Sequence, residues 1–321
     1  MATPICDLGK DAIQAKGRLG AHKWLILRRF TQLAILAVFM MGPLAGFYIL
    51  KGNLASSLVL ETVPLTDPLL LLQMLAAGFF GLSSAAIIGA AIVAVFYFIV
   101  GGRAYCSWVC PVNIVTDAAH WSRRKLGLKT KAGFKPGTRY WILALTLILS
   151  AVTGTLAYEI INPVSIIYRG FIFGMGLGWV FLIGIFLFDL LVSKHGWCGH
   201  LCPMGAFYGL IGSASLVRIR ADARDRCDDC MECYEVCPEP QVLPPALKSA
   251  DKNGSPVILS GACTNCGNCI DICPHNVFAI GLRTREIVTT KDPSAAEQSP
   301  PVQTDSALNA DNRKKKVSIN L

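Results

Sequence analysis

One cysteine arrangement is written twice in the last third of this chain. Each copy has three cysteines at intervals of three residues, a fourth cysteine four residues later, and a proline directly after it. In the first copy these residues are Cys227, Cys230, Cys233, Cys237 and Pro238. In the second copy they are Cys263, Cys266, Cys269, Cys273 and Pro274. Three closely spaced thiolates on one tight loop can wrap a compact inorganic group, so this spacing strongly restricts the local fold.

The spacing C-x2-C-x2-C-x3-C-P is typical of cubane [4Fe–4S] clusters, and in two-cluster domains the fourth cysteine ligates the other cluster. On that rule the first predicted cluster is held by Cys227, Cys230, Cys233 and Cys273. The second is held by Cys237, Cys263, Cys266 and Cys269. The alternatives are a zinc site, which takes four ligands in two pairs, and a disulfide framework. Both fit two identical quartets poorly.

The composition indicates a membrane protein. Hydrophobic residues make up 53% of the 321 residues and charged residues only 16%, whereas soluble domains carry about 25% charged residues. The formal net charge of +9 flanks the apolar runs and lies on no candidate recognition helix, so we do not expect nucleic-acid binding. A glycine-rich dinucleotide fingerprint after a strand is absent from the sequence, so NAD binding is not indicated.

Four apolar segments are near the ~20 residues that cross a bilayer. They are residues 30–50, 79–100, 140–160 and 170–192. A further apolar stretch, 67–78, contains Pro68 and Gly78, which predict a separate half-helix or interfacial helix on the outer side. The polar, basic residues 1–29 are too long for the head of a signal peptide, so we interpret them as a cytoplasmic extension before an uncleaved anchor.

The loop charges predict the orientation. The connection 101–139 contains eight basic residues and one acidic residue, while the other two connections contain one basic residue each, Lys51 and Arg169. The positive-inside rule therefore places both termini in the cytoplasm. The two outer connections contain no cysteine, so every thiol falls on the reducing side in this interpretation.

The predicted fold class is an α-helical integral membrane protein with a C-terminal bacterial-type 2[4Fe–4S] ferredoxin α+β domain. We divide the chain into a cytoplasmic extension (1–29), a membrane domain of four transmembrane helices (30–217), a double-cubane domain (218–282) and a disordered polar tail (283–321). Within the membrane domain, the glycine-rich stretch 203–217 is predicted to lie along the inner surface.

A second cysteine motif and a weak internal repeat lie in the membrane domain. Cys106-x3-Cys110-Pro111 recurs as Cys198-x3-Cys202-Pro203, each at the inner end of a predicted span. Gly42-x-Leu44-Ala45 recurs as Gly154-x-Leu156-Ala157. The pattern predicts two parallel hairpins in two repeats, and the longer first repeat is attributed to the extra outer helix.

If the two hairpins are related in this way, Cys106, Cys110, Cys198 and Cys202 converge at the inner surface. Four thiolates could hold a third iron–sulfur cluster or another soft metal centre. The alternative is that they are small buried residues at tight helix ends, which cysteine often is. His120, His195 and His200 lie near these motifs as candidate ligands or proton carriers, or as polar anchors. The thirteenth cysteine, Cys6, is interpreted as a non-functional thiol.

Several stretches together resemble one family. They are Leu25-x2-Arg28-Arg29, Pro64-Leu65-Thr66-Asp67-Pro68, Cys106-Ser107-Trp108-Val109-Cys110-Pro111, Ile161-Asn162-Pro163-Val164-Ser165 and His195-Gly196-Trp197-Cys198-Gly199-His200-Leu201-Cys202-Pro203. Over residues 10–282 the chain resembles the NapH family, the ferredoxin-type membrane subunits that accompany periplasmic nitrate reductase. All eight cysteines of the paired quartets fit that pattern.

The resemblance implies a quinol dehydrogenase component in the inner membrane. Such a subunit takes electrons from quinol and works with a periplasmic iron–sulfur partner of the NapG type, from which electrons reach a cytochrome and the nitrate reductase. The resemblance does not give the route, because the predicted clusters lie inside while the terminal acceptor lies outside.

Quinol oxidation also releases protons, and ionisable residues near membrane depth are the natural candidates to handle them. These candidates are Glu61, Asp67, Glu159 and Asp189. The competing function is an assembly factor that supplies electrons or a metal centre to a maturing oxidoreductase, because similar membrane polyferredoxins serve copper-oxidase, nitrous-oxide reductase or methylamine-dehydrogenase biogenesis.

Overall fold

The chain folds into a helical bundle followed by a small cysteine-rich domain. The computed structural model describes residues 8–46, 49–128, 135, 137–174, 176, 178–248 and 254–283. Cys6 and all of the predicted tail beyond residue 283 lie outside the described residues. The described residues belong to one unit by their contacts.

The first half of the bundle contains five helices, a small sheet and one π-helical turn. The helices are α1 (Lys10–Gly20), α2 (Lys23–Ala45), α3 (Pro68–Ala76), α4 (Ser84–Val100) and α5 (Val112–Lys125). The antiparallel sheet β1-β2-β3 comprises β1 (Leu50–Gly52), β2 (Ser56–Val59) and β3 (Val63–Thr66). The turn π1 (Tyr105–Val109) lies between α4 and α5.

The second half repeats the order from α2 onward with one change. Its helices are α6 (Thr138–Thr153), α7 (Ala157–Ile161), α8 (Pro163–Phe173), α9 (Gly178–Leu191) and α10 (Pro203–Ser213), with the turn π2 (Trp197–Leu201) before α10. The short helix α7 stands where the first half has its sheet.

The two halves share a half-helix that begins inside the protein. Asp67 precedes Pro68 at the start of α3, and Asn162 precedes Pro163 at the start of α8. Each side chain caps its helix, because Asp67 accepts from the backbone N–H of Leu69 at 3.1 Å and Asn162 from that of Val164 at 3.0 Å. The extra outer helix therefore does not explain the longer first repeat, since both halves contain it. The sheet of β1 to β3 belongs to the first half alone among the described residues.

The helices are shorter than the four predicted spans. One helix, residues 23–43 within α2, is long and apolar enough to cross a membrane by length and composition. The apolar helices α4, α6, α8 and α9 each have 10 to 17 residues. Four transmembrane helices are therefore not confirmed by helix length.

Local chain signals explain these shorter helices. Ser83 caps α4 by accepting from the backbone N–H of Ala86, so the helix begins at Ser84 and not at residue 79. Gly154 ends α6 in the left-handed conformation, with φ of 64°. Gly174, with φ of 88°, ends α8, so the predicted span 170–192 contains the end of one helix and the whole of the next.

The stretch 203–217, predicted to lie along the inner surface, contains α10, and its place relative to a membrane stays a prediction. This helix is mostly buried and packs against α4 and α6. Two glycines that face α10 from other segments allow close backbone approach: a Cβ on Gly102 would lie 2.3 Å from the backbone N of Gly212, and one on Gly261 would lie 2.0 Å from the carbonyl oxygen of Gly209. The glycines therefore serve packing inside the protein.

The cysteine-rich domain (residues 217–283) is built on one two-stranded antiparallel sheet. Strands β4 (Val217–Arg220) and β5 (Ala279–Leu282) pair, and the helices α11 (Glu232–Val236), α12 (Pro244–Leu247) and α13 (Asn268–Ile272) join them. Single 3-10 turns lie at Arg224–Arg226 and Pro240–Val242. Its core includes Ile219, Leu243, Ile258, Val277 and Phe278.

The N-terminal extension packs against the cysteine-rich domain. The backbone N–H of Gly9 donates to the Glu232 carboxylate at 3.2 Å, and Lys16 donates to the carbonyl of Ile270 at 2.8 Å. The Asp271 carboxylate accepts from the backbone N–H groups of Trp24 and Leu25 and so caps α2 from another part of the chain. The first residues of α2 are thereby fixed to the domain that carries the paired quartets.

Candidate metal centres

The two quartet loops have the same backbone conformation. In the first loop Asp229 and Met231 have left-handed φ values of 56° and 65°. At the equivalent positions of the second loop, Asn265 and Gly267 have φ values of 48° and 77°. Loops with such left-handed residues turn their N–H groups inward and suit anionic groups, including iron–sulfur sites.

The fourth cysteines are exchanged between the two loops. One pocket is lined by Cys227, Cys230, Cys233 and Cys273. Burial, together with the nearby thiols of Cys230, Cys227 and Cys273, raises the pKa of Cys233 to about 12. In the other set, Cys237 lies near Cys266 and Cys263. Burial raises the pKa of the Cys237 thiol well above its ordinary value, and the thiols of Cys266 and Cys263 add to that rise. The geometry thus assembles the two predicted ligand sets, while ligation itself stays a prediction.

The C-x3-C-P cysteines meet in one pocket, which we call the four-cysteine site. Its cysteines are Cys106, Cys110, Cys198 and Cys202. Both pairs lie on π-helical turns, because Cys110 N–H donates to the carbonyl of Tyr105 at 3.0 Å and Cys202 N–H to that of Trp197 at 2.9 Å. π-Helical turns are rare and frequently occur at functional sites.

The four-cysteine site has an electropositive surrounding. Pro163 and Val164, the first residues of α8, line it, so the positive end of that half-helix faces the thiols. Burial raises the pKa of the Cys106 thiol to about 11, and the neighbouring Arg103 guanidinium opposes that rise. The Tyr158 hydroxyl lies 3.6 Å from Cys202 Sγ. The site therefore suits a group that carries negative charge.

Four thiols are a donor set that suits an iron–sulfur cluster or another soft metal centre. Tetrahedral zinc needs four ligand atoms within about 2.3 Å of one centre. A cubane instead spreads its thiolates over several irons.

Side-chain-to-backbone hydrogen bonds join the four-cysteine site to the second quartet. Ser107 Oγ donates to the carbonyl of Thr264 at 2.7 Å, and Trp108 Nε1 donates to that of Asn265 at 3.0 Å. Both acceptors lie between Cys263 and Cys266. The two ligand loops are therefore in direct contact.

A buried ion cluster lies behind this contact. Glu239 Oε1 accepts from Arg103 at 2.6 Å and from Arg139 at 2.9 Å. Arg103 also donates to the carbonyls of Cys198 and Ala262, which belong to the π2 turn and to the second quartet loop. Sequence reasoning counted both arginines as loop charges and missed this role. The sequence offered one signal for this role, because Arg103 lies three residues before Cys106 and Arg139 lies at the start of α6.

Two of the four proton-handling candidates lie near β3 and differ sharply in their exposure to solvent. Glu61 is 68% exposed and pairs with Lys51 on the sheet. Asp67 is only 6% exposed and accepts from the Tyr208 hydroxyl at 3.1 Å. Its second oxygen has no hydrogen-bond partner among the described residues. Asp67 is thus a buried group and not an interfacial one.

The other two candidates have structural partners. Glu159 accepts from Asn162 Nδ2 at 2.9 Å and from Ser165 Oγ at 2.8 Å at the start of α8. Asp189 is buried and accepts from the backbone N–H of Trp197 at 2.9 Å, so it caps the turn that carries Cys198. The structure does not bring the four candidates together.

An aromatic group near Asp67 was not predicted. Tyr208 stacks on Tyr105 with ring centroids 5.0 Å apart, and Tyr97 contacts both rings edge-on. Tyr105 also lines the four-cysteine site. The tyrosines therefore connect Asp67 with the thiols by packed contacts, a link that no spacing in the sequence indicates.

Comparison with known families supports an iron–sulfur protein. A 4Fe-4S binding domain model matches residues 83–129 and 171–221, which contain the two C-x3-C-P motifs. A 4Fe-4S dicluster domain model matches residues 226–277, which contain both quartets.

Curated relatives match nearly their whole length. The chain is 52% identical over 277 residues to the methylamine utilization ferredoxin-type protein MauN of Methylorubrum extorquens, covering 86% of this chain and 95% of that protein. It is 49% identical over 276 residues to the ferredoxin-type protein NapH of Haemophilus influenzae, with the same coverage. It is 46% identical over 284 residues to NapH of Escherichia coli, covering 88% and 98%. No solved structure matches the chain. With its two quartets and its paired C-x3-C-P turns, the chain belongs to the family of ferredoxin-type iron–sulfur proteins that includes NapH and MauN.

Proposed function

We propose that this protein is a membrane-bound electron-transfer subunit that oxidises quinol and delivers electrons toward a periplasmic nitrate reductase. Oxidation of one quinol to quinone releases two electrons and two protons. A NapG-type iron–sulfur partner and a cytochrome would receive the electrons, as the NapH resemblance implies. The observation that carries the proposal is the direct contact between the four-cysteine site and the second quartet loop.

The paired quartets would hold two [4Fe–4S] clusters. Cys227, Cys230, Cys233 and Cys273 would ligate one, and Cys237, Cys263, Cys266 and Cys269 the other, in agreement with the exchanged fourth cysteines. Such clusters take up and release single electrons. The left-handed loop residues orient the backbone around each thiol set.

The four-cysteine site would hold a third centre. Its donor set is four thiols in one buried pocket, and cations and a helix N-terminus face it. Arg103 fixes both ligand loops, since it bonds to the carbonyl of Cys198 and to that of Ala262. The third centre would then lie next to the second cluster in a continuous row of ligand loops.

Iron and acid-labile sulfide counts test the third centre. Three cubanes predict about twelve irons per anaerobically prepared chain, and two cubanes predict about eight. The variant Cys198→Ser/Cys202→Ser should lower the count by about four and leave the quartet clusters in place. An unchanged count in this variant would remove the third centre from the proposal.

The bundle would span the inner membrane four times, with both termini and the clusters in the cytoplasm. Large apolar side chains are exposed on the shorter apolar helices, including Trp141, Val152, Phe173 and Val180. Exposed apolar surface on this scale suits contact with lipid. The half-helices α3 and α8 begin inside the protein, which allows two short segments to share one membrane crossing.

Reporter fusions test this topology. Alkaline phosphatase joined after residue 61 should be active in the periplasm, and the same enzyme joined after residue 126 should be inactive. The reverse result would place the thiols outside.

Of the acidic candidates, Asp67 has the best placement for carrying a proton inside the bundle. It is buried, has an unpartnered oxygen among the described residues and contacts Tyr208. Glu61 and Glu159 already have partners, and Asp189 caps a turn. The Asp67→Asn variant should slow quinol oxidation and leave the iron content unchanged.

Anaerobic electron paramagnetic resonance tests the function as a whole. Membranes that contain the protein are examined before and after addition of menadiol, with dithionite as the reference for full reduction. Prompt appearance of reduced-cluster signals supports quinol oxidation. Reduction by dithionite alone contradicts it.

A second candidate function follows from the MauN relatives. They are named for methylamine utilization and are as similar to this chain as the NapH proteins. In that role the protein would supply electrons or a metal centre to a maturing oxidoreductase. Deletion in the native host separates the two: loss of nitrate reduction supports the first function, and loss of growth on methylamine supports the second.

A further inference from the structure

A large cleft is enclosed by the N-terminal extension, α5 and the cysteine-rich domain. Its volume is about 960 Å³. Its walls come from α1, the start of α2, α5 and the ends of α11 and α13. It is distinct from the pockets that contain the cysteines, and the functional assignments above do not use it.

The lining of the cleft combines apolar walls with four basic and two acidic side chains. Ile13, Leu25 and Ile114 provide apolar walls. Arg29 donates to Asp117, and both line the cleft, so part of the charge is balanced. A ligand with a flat apolar ring and polar oxygen atoms suits such a lining, because the ring can pack on the apolar walls and the oxygens can accept from the basic side chains.

His120, at the wall of the cleft, carries a buried acceptor without a partner among the described residues. Its Nε2 lies 3.1 Å from the carbonyl oxygen of Glu235. A carbonyl only accepts, so Nε2 carries the proton and Nδ1 is left as an acceptor. The ring is 6% exposed, and Nδ1 has no hydrogen-bond partner among the described residues. A hydroxyl-bearing ligand would satisfy this buried atom.

The cleft borders all three sets of predicted ligands. Val236 and Ile272, which line it, immediately precede Cys237 and Cys273. His195 also lines it, and its ring lies 4.8 Å from that of His120. The same His195 lines a small cavity with Cys106 and Cys198. Residues that line the cleft therefore neighbour all three sets of predicted ligands along the chain or across a shared cavity.

The cleft adjoins exposed apolar surface. Trp121 and Leu126 line it and are 57% and 64% exposed. Ile26 and Phe30, on the outside of α2, are also exposed. A ligand with a polar aromatic head and a long apolar tail could place the head inside and the tail along this surface.

We propose that this cleft binds the hydroquinone head of quinol, with His120 Nδ1 accepting a hydrogen bond from one ring hydroxyl. The proposal rests on the proposed quinol-oxidising function and assigns its binding site. Three features of the cleft suit a quinol. They are the unpartnered acceptor for a ring hydroxyl, the apolar mouth for the tail, and the nearby ligand loops that would receive the electrons.

Photolabelling of the full-length, detergent-solubilised protein tests the site directly. An azido-menaquinone analogue is activated with light, and the adducts are mapped to peptides. Labelling of residues 112–126 or 8–25 that menadione suppresses supports the site. Labelling elsewhere, or labelling that is displaced by phosphatidylglycerol and not by menadione, overturns it in favour of another quinone site or of a lipid site.

Two matched pairs of variants test the residues. His120→Gln keeps a donor near Nε2 and removes the Nδ1 acceptor, whereas His120→Asn keeps an acceptor near Nδ1. We expect labelling by the analogue to weaken about tenfold or more in His120→Gln and much less in His120→Asn. Ala118 is exposed and lines the cleft, so Ala118→Trp should block labelling, while Ala85→Trp on the exposed side of α4 should not.

The same variants separate this inference from the proposed function. If dithionite reduces every variant, the clusters are intact in all of them. If menadiol fails to reduce the clusters only in Ala118→Trp and His120→Gln, the result supports the cleft as the binding site. If menadiol still reduces the clusters in both variants, the result overturns the proposed site. A wild-type protein that is labelled in the cleft but not reduced by menadiol contradicts quinol oxidation and leaves the binding site supported.

Discussion

Arg103 donates to the Glu239 carboxylate across 2.6 Å, and both side chains are almost fully buried. Arg103 precedes the first C-x3-C-P turn, and Glu239 follows the first quartet. The contact therefore joins the four-cysteine site to the cysteine-rich domain. Arg139, at the start of α6, completes the cluster.

Replacing Glu239 should loosen the docking of the cysteine-rich domain. Glu239→Gln leaves two buried guanidinium groups without a counter-charge, and loss of one partner from a buried ion pair costs about 3–5 kcal/mol. We expect faster limited proteolysis near residues 214–226. Glu235→Gln is the control because Glu235 is exposed. Equal cleavage of the two variants would contradict a docking role.

The same carboxylate predicts a pH dependence. Burial raises the pKa of Glu239, but the charges of Arg103 and Arg139 outweigh burial and hold the pKa below its ordinary value. A lowered folded-state pKa means that the stabilisation is complete above the unfolded pKa of about 4.5 and is lost as the pH falls through the folded pKa.

The wild-type protein should therefore keep its docked domain at neutral pH and lose it at strongly acid pH. Glu239→Gln should lack this contribution at every pH. Proteolysis with pepsin between pH 3 and 5 measures the difference. A parallel pH response in both proteins would show that other groups control acid undocking.

Gly267 should be intolerant of a side chain, although Met231 occupies the equivalent position. Both have left-handed φ, so the backbone alone does not require glycine. A Cβ on Gly267 would lie 2.6 Å from the Trp24 ring. Gly267→Ala should therefore lower thermal stability, beyond the ~1–2 kcal/mol of a left-handed alanine.

A double variant separates these two causes. If the clash with Trp24 dominates, Trp24→Ala should recover part of the stability that Gly267→Ala loses. Met231→Gly serves as the control, because Met231 is 42% exposed at the equivalent left-handed position. Strictly additive effects in Gly267→Ala/Trp24→Ala would contradict the steric explanation.

The exchange of fourth cysteines predicts which double variants lose one cluster. Cys237 and Cys263 belong to one predicted ligand set, so Cys237→Ala/Cys263→Ala should lose about four irons. Cys237 and Cys227 belong to different sets, so Cys237→Ala/Cys227→Ala should lose about eight. Iron and sulfide analysis of anaerobic preparations measures both. The reverse pattern would mean that each quartet holds its own cluster.

Cysteine spacing was sufficient to predict the two quartet loops, and hydropathy together with Pro68 was sufficient to predict the first half-helix. The duplicated quartet predicts two identical loops because a cubane requires three close thiolates, and the structure has two loops with the same left-handed positions. The half-helix at 67–78 was predicted from Pro68 and exists as α3. Helix ends were less predictable, since Ser83, Gly154 and Gly174 act through capping and local backbone conformation.

What the sequence determined by itself is the set of candidate ligands, namely the eight cysteines of the paired quartets and the four cysteines of the C-x3-C-P motifs. What the tertiary structure decided is which of them meet, and what surrounds them. Glu239 and Arg103 are 136 residues apart in the chain, and Trp24 and Asp271 are 247 apart. Contacts over such separations depend on the packing of whole helices, so no local pattern encodes them.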